Sequence, residues 1–242
     1  MQIKILYEDK DILAIDKPSG IAVHTDGRSN KKTITDLVIK NYPSMVGVGE
    51  RMRANKKELD RPGVVHRLDV ETSGVLLLAK NQKAHQFLKK QFQDREIKKT
   101  YLAIVSGHMS LPLGRNLGVV DKPIGRSPSD FRRRLSGRGA KGILREAVTE
   151  YRILKKIEDK EGNKFTYLEV SPKTGRTHQI RVHMKFLNHP VVCDSLYAPK
   201  NFCPKELGRL ALHAKSIEFK NLKGKTIKVD SPIPAEFGKM VK

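Results

Sequence analysis

Two short runs hold the side chains best suited to chemistry. The first is His66-Arg67-Leu68-Asp69-Val70-Glu71-Thr72-Ser73-Gly74, a polar turn that leads directly into the apolar stretch Val75 to Leu78. A carboxylate at a strand entrance can face a cleft, where Asp69 could attack an electrophilic carbon. The same side chain could instead bond the backbone amides of Thr72 or Ser73, an ordinary role for Asp in a turn, and the run alone leaves both readings open. The second run is Lys173-Thr174-Gly175-Arg176-Thr177-His178-Gln179-Ile180-Arg181-Val182-His183. Gly175 is expected to turn the chain and Thr177 to cap a helix whose buried stripe is Ile180, Met184 and Leu187. Arg181 would then project from that helix toward a carboxylate elsewhere, or lie solvated as most arginines do.

Both runs need a frame. Ile3 to Tyr7 and Ile12 to Ile15 read as two short strands around the polar turn Glu8-Asp9-Lys10-Asp11, and Lys17-Pro18-Ser19-Gly20 reads as a sharp turn. Apolar residues at helical spacing predict helices over Thr33–Tyr42 and Asn81–Asp94. Short apolar runs predict strands at Gly74–Ala79, Thr100–Val105, Val148–Leu154, Phe165–Val170 and Ala214–Phe219. Strands joined by hairpin-length turns as often as by helices favour an α+β fold with a mostly antiparallel sheet. Ser44–Arg61 and Ser106–Arg145 look irregular, and both are basic.

The chain has 242 residues, with 48 Lys and Arg against 26 Asp and Glu, a formal charge of +22. This imbalance points to a polyanionic partner, although RNA, DNA and an anionic membrane all attract a basic surface through the same field. The charge is clustered: Asp121 to Arg145 carries eight Lys or Arg against two Asp. No apolar run approaches the ~20 residues of a membrane span, and the opening residues show no signal-peptide pattern, so a cytoplasmic protein is expected. Cys193 and Cys203 fit no usual zinc or redox spacing and are expected to be reduced thiols.

The two runs resemble the RluA family of pseudouridine synthases. The family pattern His-Arg-Leu-Asp-x-x-Thr-Ser-Gly is complete at 66–74, and Gly-Arg-x-His-Gln-Ile-Arg-x-His is complete at 175–183. Lys99-Thr100-Tyr101-Leu102-Ala103 is similar to its Lys-x-Tyr-x-Ala strand, and Lys17-Pro18-Ser19-Gly20 to its N-terminal turn. His213-Ala214 and His189 to Tyr197 are also similar, except that Cys193 stands where the family usually has Gly. The resemblance implies the α+β pseudouridine synthase fold, a mostly antiparallel mixed sheet in two lobes flanking a catalytic cleft, with residues 1–242 as a single catalytic domain. It implies Asp69 as the catalytic carboxylate, Tyr101 as the ring against the target base and Arg181 as the cation paired with Asp69. Arg67 is the residue expected to enter the RNA stack where the uridine leaves. His66, Arg67, Arg132, Arg133, Arg134 and Arg176 are the expected RNA contacts, with no metal and no cofactor.

The chemistry is consistent with that set. Pseudouridine formation breaks the bond between C1′ and N1, turns the uracil and joins C5 to C1′. One carboxylate nucleophile suffices, because uracil leaving as an anion needs less proton donation than a sugar alkoxide does. Attack at C1′, attack at C6 and a glycal route are all compatible with these residues. Tyr101 could also take part in proton abstraction at C5. The substrate is expected to be RNA, ribosomal in preference to transfer RNA, and the protein a monomer. Family members often carry an N-terminal S4-type domain; with so few residues ahead of Lys17 none is expected here, and the chain's own loops are expected to do more of the recognition.

Three other functions share some of these features. His66-Arg67-Leu68-Asp69 superficially resembles a kinase catalytic loop, but there is no Gly-rich phosphate loop, and Asp130-Phe131 is followed by Arg132. His178, His183, His189, Cys193 and His213 match no established zinc set. A non-catalytic RNA-binding or ribosome-assembly protein could share the fold, yet would not require Asp69, Tyr101 and Arg181 together.

Overall fold

The computed structural model describes residues 3–25, 27, 31–54, 57–113, 115–137 and 139–241. In chain order the elements begin with β1 (Lys4–Glu8), β2 (Ile12–Lys17), α1 (Ile34–Asn41), a 3₁₀ turn (Pro43–Met45), β3 (Met52–Ala54), β4 (Lys57–Leu59), β5 (Ser73–Ala79) and α2 (Gln82–Gln93). They continue with β6 (Lys98–Ser106), β7 (Gly118–Asp121), β8 (Ile124–Arg126), β9 (Arg134–Ser136), β10 (Lys141–Arg145), β11 (Val148–Glu158) and β12 (Lys164–Pro172). Last come α3 (Gln179–Phe186), β13 (Leu212–Lys220), β14 (Thr226–Asp230) and α4 (Ala235–Val241). They fall into two compact units, 1–98 with 214–232, and 99–213 with 233–242.

In the first unit the strands lie in the order β1-β2-β5-β13, and β14 pairs with β13. The expected hairpin is present: β1 and β2 are antiparallel, with Lys4 opposite Asp16. β5 is buried at every residue because its sequence, Ser-Gly-Val-Leu-Leu-Leu-Ala, is apolar on both faces. The two predicted helices are also present. Thr33 caps α1 through a capping box with Asp36, and Asn81 caps α2 by accepting from the Ala84 amide at 2.9 Å. Helix α2 buries Ala84 and Leu88 among Ile12, Leu77, Ile217 and Phe219.

In the second unit the order is β6-β12-β11-β7. β11 and β12 form a long antiparallel hairpin, from Thr149 opposite Pro172 to Glu158 opposite Lys164. Its core gathers Ile104, Phe165, Leu168, Met184 and Phe237. Ile180 and Met184 are buried from α3 as the helical spacing predicts, and Leu187 packs beside them.

Ser106–Arg145 is more ordered than its sequence suggests. It contributes β7 to the main sheet of this unit, and β8, β9 and β10 form a separate sheet in the order β10-β8-β9. The 44–61 stretch likewise holds the 3₁₀ turn and the β3–β4 hairpin. The short strands of these two stretches carry too few residues for a pattern to show. β10 is Lys-Gly-Ile-Leu-Arg and exposed throughout, so no alternation of apolar and polar residues marks it.

Gly74 lies at φ +110°, and a Cβ there would come within 2.2 Å of the Ala214 carbonyl oxygen. Gly74→Ala should therefore cost about 2–4 kcal/mol of stability, through both strain and overlap. Urea unfolding of the two proteins measures this, and matching midpoints would contradict the close approach.

Candidate active site

The Asp69 turn in the first unit rests on the Lys17-Pro18-Ser19-Gly20 turn. Lys17 ends β2 opposite Gly74 of β5 and is fully buried. Its ammonium donates to the carbonyls of Pro18 at 2.9 Å, Ile21 at 2.8 Å and Val70 at 3.0 Å. Burying an ammonium is costly unless it is hydrogen-bonded, and these carbonyls supply that compensation. The Gly20 amide, at φ +89°, also donates to the Val70 carbonyl at 2.8 Å, and Ser19 Oγ donates to the Glu71 carbonyl at 2.6 Å. The backbone on the C-terminal side of Asp69 is thus tied down at two consecutive residues. Within the turn, the Thr72 amide donates to the main-chain carbonyl of Asp69 at 3.1 Å.

Asp69 itself is half-buried, Leu68 beneath it is buried, and Arg67 is exposed. His66 Nε2 accepts the Leu77 amide at 2.9 Å, so in a neutral ring the proton sits on Nδ1. Its ring stacks on Phe92 with centroids 4.8 Å apart. His66 therefore locks the start of the motif to β5 and α2.

Arg181 of the second unit is buried, at 3% exposure. Its Nε donates to Asp194 Oδ2 and its Nη2 to Asp194 Oδ1, each at 2.7 Å, a two-pronged geometry for which a planar guanidinium is suited. Asp194 Oδ1 also accepts the amides of Leu196 at 3.0 Å and Tyr197 at 2.9 Å. The guanidinium carbon lies 5.2 Å from the centre of the Tyr197 ring. Tyr197 Oη accepts the Arg134 amide at 2.9 Å and shares a hydrogen bond with His178 Nδ1 at 2.9 Å. Tyr101 sits half-buried on β6 opposite Val170, against the core of the same unit.

The 173–178 turn owes its form to Gln179. Gln179 Oε1 accepts Thr174 Oγ1 at 2.6 Å and the Arg176 amide at 3.0 Å, while Nε2 donates to the Val148 carbonyl at 3.0 Å and Thr149 Oγ1 at 2.9 Å. His183 continues the chain of bonds. Its Nε2 faces the Lys122 carbonyl at 3.0 Å and so carries the proton, leaving Nδ1 to accept from Thr149 Oγ1 at 2.8 Å. Burial holds the His183 pKa below its ordinary value.

Two expectations need correction. Thr177 does not cap α3; the cap position is His178, in the left-handed region at φ 57°, with no side-chain capping bond. The side chain of Gln179, one residue into the helix, organises the turn instead. Cys193 and Cys203 are not separate thiols but are bonded to each other, with their α-carbons 4.8 Å apart. Spacing rules test for metal and short redox motifs, and cannot register a loop that folds back on itself. Two further residues, Asp194 and Lys99, are given their surroundings only by the fold. Asp194 lies within the family-like stretch His189 to Tyr197 and Lys99 opens the Lys-x-Tyr-x-Ala strand, but neither pattern by itself assigns the residue a role.

Of the expected RNA contacts, Arg132 is exposed but forks onto Asp130, its Nε to Oδ1 at 3.0 Å and its Nη2 to Oδ2 at 2.8 Å. Arg133 Nε lies 3.6 Å from the same carboxylate. The pairing with Arg132 holds Asp130 well below the usual carboxylate range. Arg134 and Arg176 are half-exposed, and Arg176 Nε donates to the Glu146 carbonyl at 2.9 Å.

This α+β arrangement is the fold of pseudouridine synthases. It matches human RNA pseudouridylate synthase domain containing 4 with a TM-score of 0.69 at 28% identity, over 97% of this chain and 90% of that one. Residues 11–186 match the family model described as RNA pseudouridylate synthase, and the chain belongs to that family of RNA-modifying isomerases, in its RluA branch. An uncharacterized RNA pseudouridine synthase of Aquifex aeolicus is 39% identical over 206 residues, 85% of this chain and 59% of that protein. Ribosomal large subunit pseudouridine synthase D of Borreliella burgdorferi is 34% identical, over 97% of this chain and 66% of that protein. The chain thus spans a little under two thirds of the length of each of these two relatives.

Asp194→Asn would remove the two-pronged carboxylate that Arg181 is buried against and should cost about 3–5 kcal/mol, measured by denaturant unfolding. Lys99 offers a pH test. Its ammonium donates to the Thr174 carbonyl at 3.2 Å, and burial lowers its pKa from 10.5 to about 8. Between about pH 8 and 10.5 the unfolded chain keeps the proton that the folded chain has lost, so this lysine adds stability as pH rises through that window. Reductive ¹³C-methylation followed by NMR titration should show one lysine resonance with a midpoint near 8 that disappears in Lys99→Met.

Proposed function

We propose that this chain converts uridine to pseudouridine in RNA, with Asp69 as the nucleophile, Tyr101 as the ring against the target base and Arg181 as the cation of the site. The observation that carries the reading is the seat of Asp69. A half-buried carboxylate stands on a turn whose neighbouring carbonyls are anchored by Lys17, Ser19 and Gly20, so its position is set before substrate arrives. The exposed Arg67 lies two residues away, free of the core, and can fill the gap left by an extruded uridine. Tyr101 offers an aromatic face for the base, with its phenol in reach of the proton at C5. His66, Arg134 and Arg176 complete the RNA-contacting set in this reading, while Arg132 and Arg133, both engaged by Asp130, are left out of it.

The substrate we propose is large-subunit ribosomal RNA. The printed names of bacterial relatives such as the Borreliella burgdorferi protein support it, as does the +22 charge. Residues 1–242 act in this reading as one catalytic domain, as a monomer and in the cytoplasm. Among the described residues no helix is long and apolar enough to cross a membrane.

Carbodiimide mapping of total RNA from cells with and without the gene, with Asp69→Asn rescue alongside, tests this. A modified position should vanish on deletion and return only with the parent protein. In purified form the variant should be slower by on the order of a thousandfold or more. A variant that restores the position as well as the parent would overturn the role of Asp69.

A further inference from the structure

The β8–β9–β10 sheet of the second unit, together with the turn that precedes α3, encloses an open depression of about 430 Å³. Four arginines line it: Arg126 from β8, Arg134 from β9, Arg145 from β10 and Arg176 from the turn. Among the described residues none of the four is paired with a carboxylate. Arg134 Nη1 donates to the carbonyls of Phe131 at 3.1 Å and Arg133 at 3.0 Å, and Arg176 Nε to that of Glu146, which orient the two guanidiniums without neutralising them. Arg126 and Arg145 are exposed. Four like charges held around one concave volume repel one another, and an anion placed between them relieves that repulsion.

We propose that this depression is a second RNA-binding site, which grips the sugar-phosphate backbone away from the target uridine. The proposal rests on the reading of the chain as an enzyme acting on RNA. It keeps Arg134 and Arg176 from the set expected from the sequence, adds Arg126 and Arg145, and leaves out Arg132 and Arg133. Arg132 and Arg133, the most conspicuous charges in the sequence, already share Asp130. The rest of the lining suits a nucleic acid better than a small inorganic anion. Gly142 lies at φ +75° with open space where a Cβ would be, so backbone can approach closely, and Ile143 is 82% exposed, an apolar face for a sugar or base. A concave lining also suits a phosphodiester strand that threads it, whereas a bilayer presents headgroups to flat or convex surfaces.

The site is joined to the chemistry by short covalent and hydrogen-bonded paths. Arg176 stands five residues before Arg181, and the Arg134 amide is bonded to Tyr197, whose ring faces the Arg181 guanidinium. Backbone bound here is therefore registered against α3. Because its phosphates do not react, they should contribute equally to the ground and transition states, and the site should act on KM and not on kcat.

The test compares the parent with Arg126→Gln/Arg145→Gln and Arg132→Gln/Arg133→Gln, using as probe a transcript that carries the mapped uridine. The first variant should bind about tenfold more weakly, with the slope of log K against log salt reduced by about 1.4 to 2, while kcat is retained. The second should change affinity by less than about threefold. Arg126→Lys/Arg145→Lys should recover the salt slope, because charge is kept, and thermal unfolding shows whether each variant is folded; loss of binding in a protein that has also lost its folded baseline counts against the proposal. An unchanged slope in the Gln pair would overturn it. So would loss of binding to phosphatidylglycerol vesicles with RNA binding intact, which would make the depression a membrane contact. If the parent binds the transcript with the expected slope yet forms no pseudouridine, the proposed function fails and the second site stands.

Discussion

A charge taken out of water must be given partners where it lands, and this constraint organises both units. In the first, the Lys17 ammonium is fully buried and donates to carbonyls of its own turn and of the Asp69 turn. In the second, the Arg181 guanidinium and the Asp194 carboxylate are buried together, with two backbone amides sharing the carboxylate. Both arrangements trade stability for geometry, since an apolar residue of similar size is often no less stable than a buried ion. What the ions provide is direction: an ammonium surrounded by carbonyls, or a fork on a carboxylate, holds the surrounding loops in one arrangement.

The polar side chains that do no chemistry are as well placed as those expected to do it. Gln179, Thr149 and His183 form a hydrogen-bonded run across the start of α3 that ends on the Lys122 carbonyl. Each member is buried, and each donor meets an acceptor, so breaking any one would leave its neighbours unsatisfied. The Gly-Arg-x-His-Gln-Ile-Arg-x-His pattern is therefore largely a positioning device. Gln179 holds the turn, His178 bonds Tyr197, His183 closes the run on Lys122 just past β7, and Arg181 is held against Asp194.

Basic charge is distributed with the same economy. Arg132 and Arg133 are prominent in the sequence, yet Asp130 lies between them in space and draws on both. Arg126 and Arg145 flank that cluster on either side, on short strands that no pattern marks, and they come together with Arg134 and Arg176 only when the small sheet forms. Counting charges along the chain points to this region but does not separate arginines held by a carboxylate from those that line the depression.

Much could be read from the residues alone. The hairpin, α1, α2 and the long strands follow from apolar periodicity, because hydrophobic burial has the period of the element that does the burying. The turn motifs around Asp69 and Arg181 were legible because rare combinations of Gly, Asp, Arg and His are packed into nine residues each. The buried contact between Arg181 and Asp194 was not, because Asp194 is thirteen residues away and an ordinary Asp in an ordinary turn. Nor were the seat that Lys17 provides, the Cys193–Cys203 bond or the four-arginine depression. Each depends on which backbone carbonyls, sulfurs or guanidiniums arrive at one point in space, and that is decided by packing and by the return path of loops, which leave no period in the sequence.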